Sequence, residues 1–220
     1  MKRKVLVSVV SLLFVVMGCG PSIIESKMVR VSPRYSCPSV RSGNLSILPV
    51  EAGENSFILS NYIDREFEKA LKAKNFTGVI GPDVTFAAIN KNDVWNDYLT
   101  AVKCLNEEVP IGDESRSRLK NALQSRFLLA TSMSKINTYY RNGKFVNWVT
   151  LFFPVSDHYF IQTNFVSGIF DLDNGELLAK VQGGSQVIFR GKAREAAGAK
   201  QDSVFTDLAN EFANRLVNGK

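Results

Sequence analysis

Residues 47–83 read ILPVEAGENSFILSNYIDREFEKALKAKNFTGVIGPD, and this stretch decides the fold. Its first four residues are the last four of a short apolar run at 45–50, and this run predicts a buried strand. A helix with one apolar face follows. That face carries Ile63, Phe67, Ala70 and Leu71. VIGP at 79–82 predicts a second short strand, and Pro82 and Asp83 are suited to begin another helix. Strand, helix and strand in succession predict a sheet with helices packed on it.

The rest of the chain continues this alternation. Three further helices are predicted from apolar residues at helical spacing. Those residues are Val84, Phe86 and Ile89, then Trp95, Leu99, Val102 and Leu105, then Leu119, Ala122 and Leu123. FLLA at 127–130 predicts a buried strand, and a closing helix is predicted from Phe205, Leu208, Phe212 and Leu216. The predicted fold class is therefore α/β (α+β), a mixed β-sheet packed with helices.

Two hairpins are predicted in the strand-rich second half. The first turns at Asn142-Gly143 in RNGK, because both positions tolerate positive φ. The second is DLDNGELLAK at 171–180, which turns at Asp173-Asn174-Gly175. Strand alternation beyond this turn predicts one shared face for Leu177, Ala179 and Val181.

The amino terminus has the pattern of an export signal. Lys2, Arg3 and Lys4 precede the twelve uncharged residues VLVSVVSLLFVV, which are too few for the ~20-residue span of a membrane helix. Val16-Met17-Gly18-Cys19 follows and resembles the cleavage-and-acylation site of bacterial lipoproteins. We predict lipidation of Cys19. Two alternatives stay open, an uncleaved anchor across the uncharged run to Ile24 and an ordinary cleavage site.

This signal sets the predicted domain organisation. Residues 1–18 form the signal peptide, 19–43 a Pro- and Ser-containing tether, and 44–220 a single α/β domain. Loss of the three basic residues of the signal takes the formal net charge from +6 to +3, so no nucleic-acid partner is expected. Cys37 and Cys104 are then left either as a disulfide pair or as two independent thiols.

No catalytic constellation, metal site or cofactor motif is found in the sequence. His158 is the sole histidine, and its neighbours Ser156 and Asp157 cannot form a triad with it on an extended chain. A calcium loop starting at Asp171 would need glutamate at its twelfth position, where Gln182 stands. A hairpin turn is the better interpretation of the acidic residues at 171–176, and we expect no enzyme.

A run rich in large apolar residues covers 144–166. Its candidate surface residues are Trp148, Phe152, Phe153, Tyr159 and Phe160. Two interpretations stay open, an apolar surface for a protein partner and a hairpin inserted in a membrane, whose arms would need about 9–11 residues each.

Several of these segments together resemble a known family. The stretch 47–83 and FDLDNGELLAK at 170–180 resemble periplasmic lipoproteins related to the curli-secretion channel subunit and the penicillin-binding-protein activator. Their core is similar to the amino-terminal domain of the translocation protein of the Tol system. The matching turns are Leu48-Pro49, Gly81-Pro82-Asp83 and Asp171, Asp173, Gly175 and Glu176. The resemblance implies that fold for about 45–218, with either a channel subunit or a docking domain as its function.

The expected function follows from the signal and from this resemblance. We expect a lipoprotein anchored in the outer membrane through Cys19, facing the periplasm and binding another envelope protein without catalysis. The alternative is a subunit of an oligomeric secretion or assembly complex in the same membrane, with copies of this chain as its partners.

Overall fold

The structure is a computed structural model, and it describes residues 23–50, 57–133, 137–141, 158–190 and 193–218. Within these ranges, side chains are described for 30–50, 63–133, 164–184 and 205–218, and the backbone alone for the remainder.

The described strands form one mixed sheet. They are β1 (Ile23–Val31), β2 (Asn44–Ile47), β3 (Gly78–Ile80), β4 (Phe127–Met133), β5 (Asn137–Arg141), β6 (His158–Asp171) and β7 (Glu176–Arg190). Their order is β1-β7-β6-β4-β2-β3, and β5 follows β4 along the same side of β6. β2 pairs in parallel with β3 and β4, whereas the pairs made by β1, β5, β6 and β7 are antiparallel.

Helices cover both faces of this sheet. They are α1 (Cys37–Ser42), α2 (Phe57–Ala73), α3 (Pro82–Asn92), α4 (Trp95–Glu107), α5 (Asp113–Leu123) and α6 (Ala193–Asn218). One core contains residues of α1, α2 and α6 with Leu129 of β4, and it includes an edge-to-face contact between Phe67 and Phe212. The other core contains residues of α3, α4 and α5 with Leu128 and Ala130. Neighbouring residues of a strand point to opposite faces, so the two cores lie on opposite sides of the sheet. The predicted α/β fold class is confirmed.

The predicted tether is wrong for most of its length. Residues 23–31 form β1, which pairs with β7 from Ile23 opposite Gln186 to Val31 opposite Ala179, and 37–42 form α1. The sequence IIESKMVRV does not alternate between apolar and polar residues, so the local pattern does not reveal the strand. Pairing with a partner more than 140 residues away creates it.

The second hairpin is confirmed, but its predicted face is wrong at one residue. Ile169 lies opposite Ala179 and Phe170 opposite Leu177, so Leu178 is an extra residue in β7. This β-bulge turns Leu177 toward the α4 side of the sheet, while Ala179 and Val181 face α6. The turn predicted at Asn142-Gly143 lies outside the described residues.

Two helical predictions also needed revision. α6 begins at Ala193, about twelve residues before Phe205, the first apolar residue from which the closing helix was predicted. The sequence AREAAGAKQDS contains good helix formers but no apolar periodicity that would have revealed this first part. In α3, the apolar residues that predicted the helix do not share one face, since Ile89 is buried and Val84 is 62% exposed. Among the described residues, no helix is long and apolar enough to cross a bilayer.

Candidate interaction surfaces

The acidic turn between β6 and β7 binds the protein's own basic side chains. Lys120 Nζ lies 2.6 Å from Asp173 Oδ1, and Arg126 lies 3.1 Å from both Asp171 Oδ2 and Asp173 Oδ2. The hydrogen bond from Lys120 is the largest cause that holds the pKa of Asp173 below its usual value. Arg34 pairs with Glu176 at 3.2 Å. These carboxylates therefore join the hairpin to α5 and to the segment after β1.

The backbone of this turn explains its glycine. Gly175 has φ +76°, a conformation that residues with a side chain rarely adopt. Its carbonyl accepts a hydrogen bond of 2.9 Å from Ile111 N–H, and a Cβ at Gly175 would collide with the Ile111 carbonyl. The part of the chain that the structure describes contains no group of three or more His, Cys, Asp or Glu arranged to hold a metal ion.

The two cysteines described by the structure are free thiols. Cys37 packs against the core that contains α2 and α6, and Cys104 lies in the core that contains α3, α4 and α5. The seven-stranded sheet separates them, and Cys104 Sγ is 3.6 Å from the carbonyl oxygen of Pro110. A disulfide needs Cα atoms within about 7 Å of each other. The disulfide between Cys37 and Cys104, which the sequence left open, is therefore wrong, and the alternative of two independent thiols holds.

Apolar side chains form an exposed strip across α3 and α4. Phe86 is 36% exposed and packs edge-to-face against Trp95, with 5.5 Å between ring centroids. Leu99 is one helical turn beyond Trp95 and is 52% exposed. We call these three residues the apolar strip. On its inner side, Trp95 contacts the buried side chain of Tyr98, with 5.6 Å between the ring centroids.

The sequence pattern predicted helices from these residues and did not say which of them the core covers. Their periodicity is helical, but only Trp95 of the three packs against the core that contains α3, α4 and α5, while Phe86 and Leu99 stay exposed. Leu105 and Ile89 occupy the buried positions, and the strip lies beyond them. On a helical wheel, the apolar residues of these helices span a face that is wider than the core can cover. That width is the signal in the sequence that would have identified the strip.

A buried carboxyl group lies near the end of β2. Asp64 of α2 is 1% exposed, and both of its oxygens accept from the backbone N–H of Val50, at 3.0 and 3.2 Å. Burial is the main reason why the pKa of Asp64 is raised to about 8, and the Val50 hydrogen bond opposes that effect. This group fixes the chain where it leaves the sheet.

The remaining predicted site residues fall in two groups. Cys19, Trp148, Phe152 and Phe153 lie outside the described residues, so acylation and their surface role stay predictions. Tyr159 and Phe160 lie in β6 between β5 and β7. His158 begins β6 in the same register, opposite Arg141 and Arg190, and Ser156 and Asp157 are not among the described residues.

No protein-family model and no curated protein matches this sequence. Solved structures that are similar to it include the following three. The PelC dodecamer from Paraburkholderia phytofirmans is 13% identical, covering 89% of this chain and 97% of that chain at a TM-score of 0.44. Lipoprotein GNA1162 from Neisseria meningitidis is 11% identical, and the match covers 78% of this chain and 99% of that chain at a TM-score of 0.40. A hypothetical protein from Chlamydia trachomatis is 13% identical, and the match covers 66% of this chain and 73% of that chain at a TM-score of 0.36. The family resemblance in the sequence stays a prediction.

Proposed function

We propose that this chain is a lipoprotein of the bacterial outer membrane, anchored through Cys19, which faces the periplasm and binds another envelope protein without catalysing a reaction. The basic and apolar signal followed by Gly18-Cys19 supports the anchor and the location. Several acyl chains on one cysteine would hold the protein firmly, because each buried methylene contributes about 0.8 kcal/mol.

The apolar strip is the observation that carries the binding role. Phe86, Trp95 and Leu99 are neighbours, and two of them are at least one third exposed. Burial of this surface by a partner favours association, because it removes apolar area from water. Contiguous exposed apolar residues are typical of protein-binding surfaces, whereas single ones are ordinary.

The anchor is tested by metabolic labelling. Cells expressing the full chain are grown with radioactive palmitate, and the wild type is compared with Cys19→Ala. We expect label on the wild type and none on the variant. Equal labelling of both chains, or none on either, would refute acylation at Cys19.

The binding role is tested by photo-crosslinking in cells. A photoreactive phenylalanine analogue is placed at Leu99 in the full chain, and a matched control carries it at Asn96, an exposed polar position of the same helix. We expect an adduct with an envelope protein from position 99 that is absent from position 96. Equal adducts from the two positions, or none, would count against the strip.

The parts that His158 and the acidic turn play in binding are tested separately. His158→Ala and Asp173→Asn remove the imidazole and one carboxylate of the acidic turn. We expect both variants to retain the crosslink from position 99. Its loss in a variant that stays folded would show that these groups act in the function.

The second candidate is a subunit of an oligomeric secretion or assembly complex. In the described part of the chain, β1 pairs with β7 alone and β3 with β2 alone, so each end of the sheet has an open edge. Open edges present backbone groups that can pair with another copy. Detergent extracts would then contain ring-sized particles of this chain, whereas a monomer would exclude this candidate.

A further inference from the structure

The buried carboxyl of Asp64 is connected to the apolar strip by a series of contacts. Both oxygens of Asp64 accept from Val50 N–H, at 3.0 and 3.2 Å. The residue before Val50 is Pro49, and its carbonyl oxygen accepts from the Tyr98 hydroxyl at 3.1 Å. The Tyr98 ring packs edge-to-face against Trp95 of the strip. Asp64 and Tyr98 therefore hold two adjacent residues of one segment, which we call the β2 exit (Pro49 and Val50).

The β2 exit lies between the two cores. Pairing of β2 with β4 reaches Leu48, whose N–H donates to the Leu129 carbonyl at 2.9 Å. Leu48 is buried in the core that contains α3, α4 and α5, whereas Val50 is buried in the core that contains α2 and α6. A shift of the β2 exit on the α2 side is therefore transmitted to the α4 side through adjacent backbone atoms.

The surroundings of Asp64 favour its neutral form. The side chain is buried, and the base next to it on α2, Arg65, pairs with Asp83 of α3 at 3.2 Å. Burial is the main cause that raises the pKa of Asp64, and the charge of Asp83 raises it further. An ionised carboxylate in this site would have Val50 N–H as its donor and a like charge nearby. Such a buried charge is costly, because little compensates for its lost water.

The other charged groups of α2 have partners of their own. They form the pairs Glu66–Lys69 and Glu68–Lys72, each at 2.6 Å. From α6, the Thr206 hydroxyl donates to Glu66 at 3.0 Å. A cation could reach Asp64 only if one of these contacts were broken. Water that enters between α2 and the β2 exit is the simpler way to solvate an ionised Asp64.

We propose that the protonation state of Asp64 controls the apolar strip, which is in its binding form when this carboxyl is neutral. With the carboxyl neutral, the β2 exit is fixed and Tyr98 supports Trp95. Ionisation is favourable only when water reaches the carboxylate, so α2 and the β2 exit must separate. Pro49 then moves with Val50, the Tyr98 hydroxyl loses its acceptor, and the support of the Trp95 ring is lost.

The consequence is a linkage between protons and the partner. This inference rests on the binding role proposed for the strip. In the opened site, the pKa of Asp64 returns toward its ordinary value, whereas in the closed site it is about 8. Opening therefore increases as the pH rises toward 8, and binding at the strip weakens. A bound partner must in turn make the proton of Asp64 harder to remove, because coupling between two sites is reciprocal.

The fluorescence of Trp95 tests the switch without a partner. The full chain carries Trp148→Phe, so that Trp95 is its sole tryptophan, and quenching by acrylamide is measured from pH 5 to pH 9.5. We expect quenching to increase with a midpoint near pH 8, and Asp64→Asn to abolish this transition. Constant quenching in the parent, or the same transition in Asp64→Asn, would overturn the proposal. A simultaneous loss of the circular dichroism signal would also overturn it, since the whole domain would then be unfolding.

Three further substitutions in the same chain test the route. Tyr98→Phe keeps the ring that contacts Trp95 and removes the hydroxyl that donates to Pro49, so it should lack the transition. Asp83→Asn should move the midpoint to lower pH, because a charge that raises the pKa of Asp64 is lost. Asp93→Asn, at the exposed end of α3, is the matched control and should leave the midpoint unchanged. A parental transition in Tyr98→Phe, or a midpoint that Asp83→Asn does not lower, would overturn the route.

Photo-crosslinking from position 99 separates this inference from the proposed function. Cells that carry the phenylalanine analogue at position 99 are irradiated at pH 7 and at pH 9. We expect the adduct to fall severalfold at pH 9 in the wild-type background and to persist in Asp64→Asn. Equal adducts at both pH values in the wild type would overturn the linkage and leave the binding role intact. Absence of an adduct at either pH would overturn the binding role, and the quenching of Trp95 would still decide whether Asp64 controls the strip.

Discussion

Asp64 should make the stability of this protein fall as the pH rises through neutrality. The carboxyl is 1% exposed, and its pKa is raised from 3.8 to about 8, chiefly by burial. The folded state therefore keeps a proton that the unfolded chain releases above pH 4. The free energy of unfolding falls with pH wherever the folded state binds more protons, so this contribution is complete below pH 4 and is lost between about pH 4 and pH 8.

The magnitude follows from the pKa difference. Each pH unit inside this window lowers the free energy of unfolding by about 1.4 kcal/mol. The step from pH 5 to pH 7 should therefore lower it by about 2–3 kcal/mol. Asp64→Asn removes the titration and retains one oxygen that can accept from Val50 N–H. The variant should therefore lack this slope and should unfold at higher denaturant concentration than the wild type at pH 8.

Equilibrium urea denaturation followed by tryptophan fluorescence measures this slope at pH 5, 6 and 7 and compares the two proteins at pH 8. Asp93→Asn is the matched control, because Asp93 is exposed and has φ 51°, a conformation that asparagine also accepts. We expect the control to keep the slope of the wild type. Parallel pH profiles for the wild type and Asp64→Asn would refute the assignment of the slope to this carboxyl.

Three further substitutions test other parts of the structure by the same denaturation measurement. Gly175→Ala should lower the free energy of unfolding by at least about 1 kcal/mol, because of the positive φ and the collision with Ile111; an unchanged value would contradict this. Ser46→Ala should leave it unchanged or raise it by about 1 kcal/mol, since the buried hydroxyl has no hydrogen-bond partner among the described residues. Glu108→Gln should lower it by about 1–3 kcal/mol, because Lys180 is buried and its ammonium lies 2.8 Å from Glu108; a gain in stability would oppose that account.

The sequence predicts those elements whose signal is local. Ile63, Phe67, Ala70 and Leu71 repeat at helical spacing, and all four are buried on α2. The turn before Glu176 is also predicted, because its glycine and asparagine are suited to one kind of turn. β1 and the face of Leu177 were not predicted, because pairing with a distant strand creates the first and a single extra residue at Leu178 decides the second.

The candidate surfaces show the same division. The signal at Cys19 is contiguous in the sequence and can be read directly, whereas the register that sets His158 opposite Arg141 and Arg190 follows from strand pairing and has no local pattern in the sequence. The apolar strip lies between these cases, since helical spacing identifies Trp95 and Leu99 but not the side of the helix that the core leaves uncovered.

The pairing of β1 with β7 also imposes an order in time. Ile23 reaches its place only when Gln186 has been made and is free to pair, so the sheet cannot be completed while the last sixth of the chain is missing. Contacts between such distant residues form slowly. A chain that passes through a membrane from its amino terminus would therefore emerge with its first strand unpaired and complete its fold only when nearly all of it had crossed.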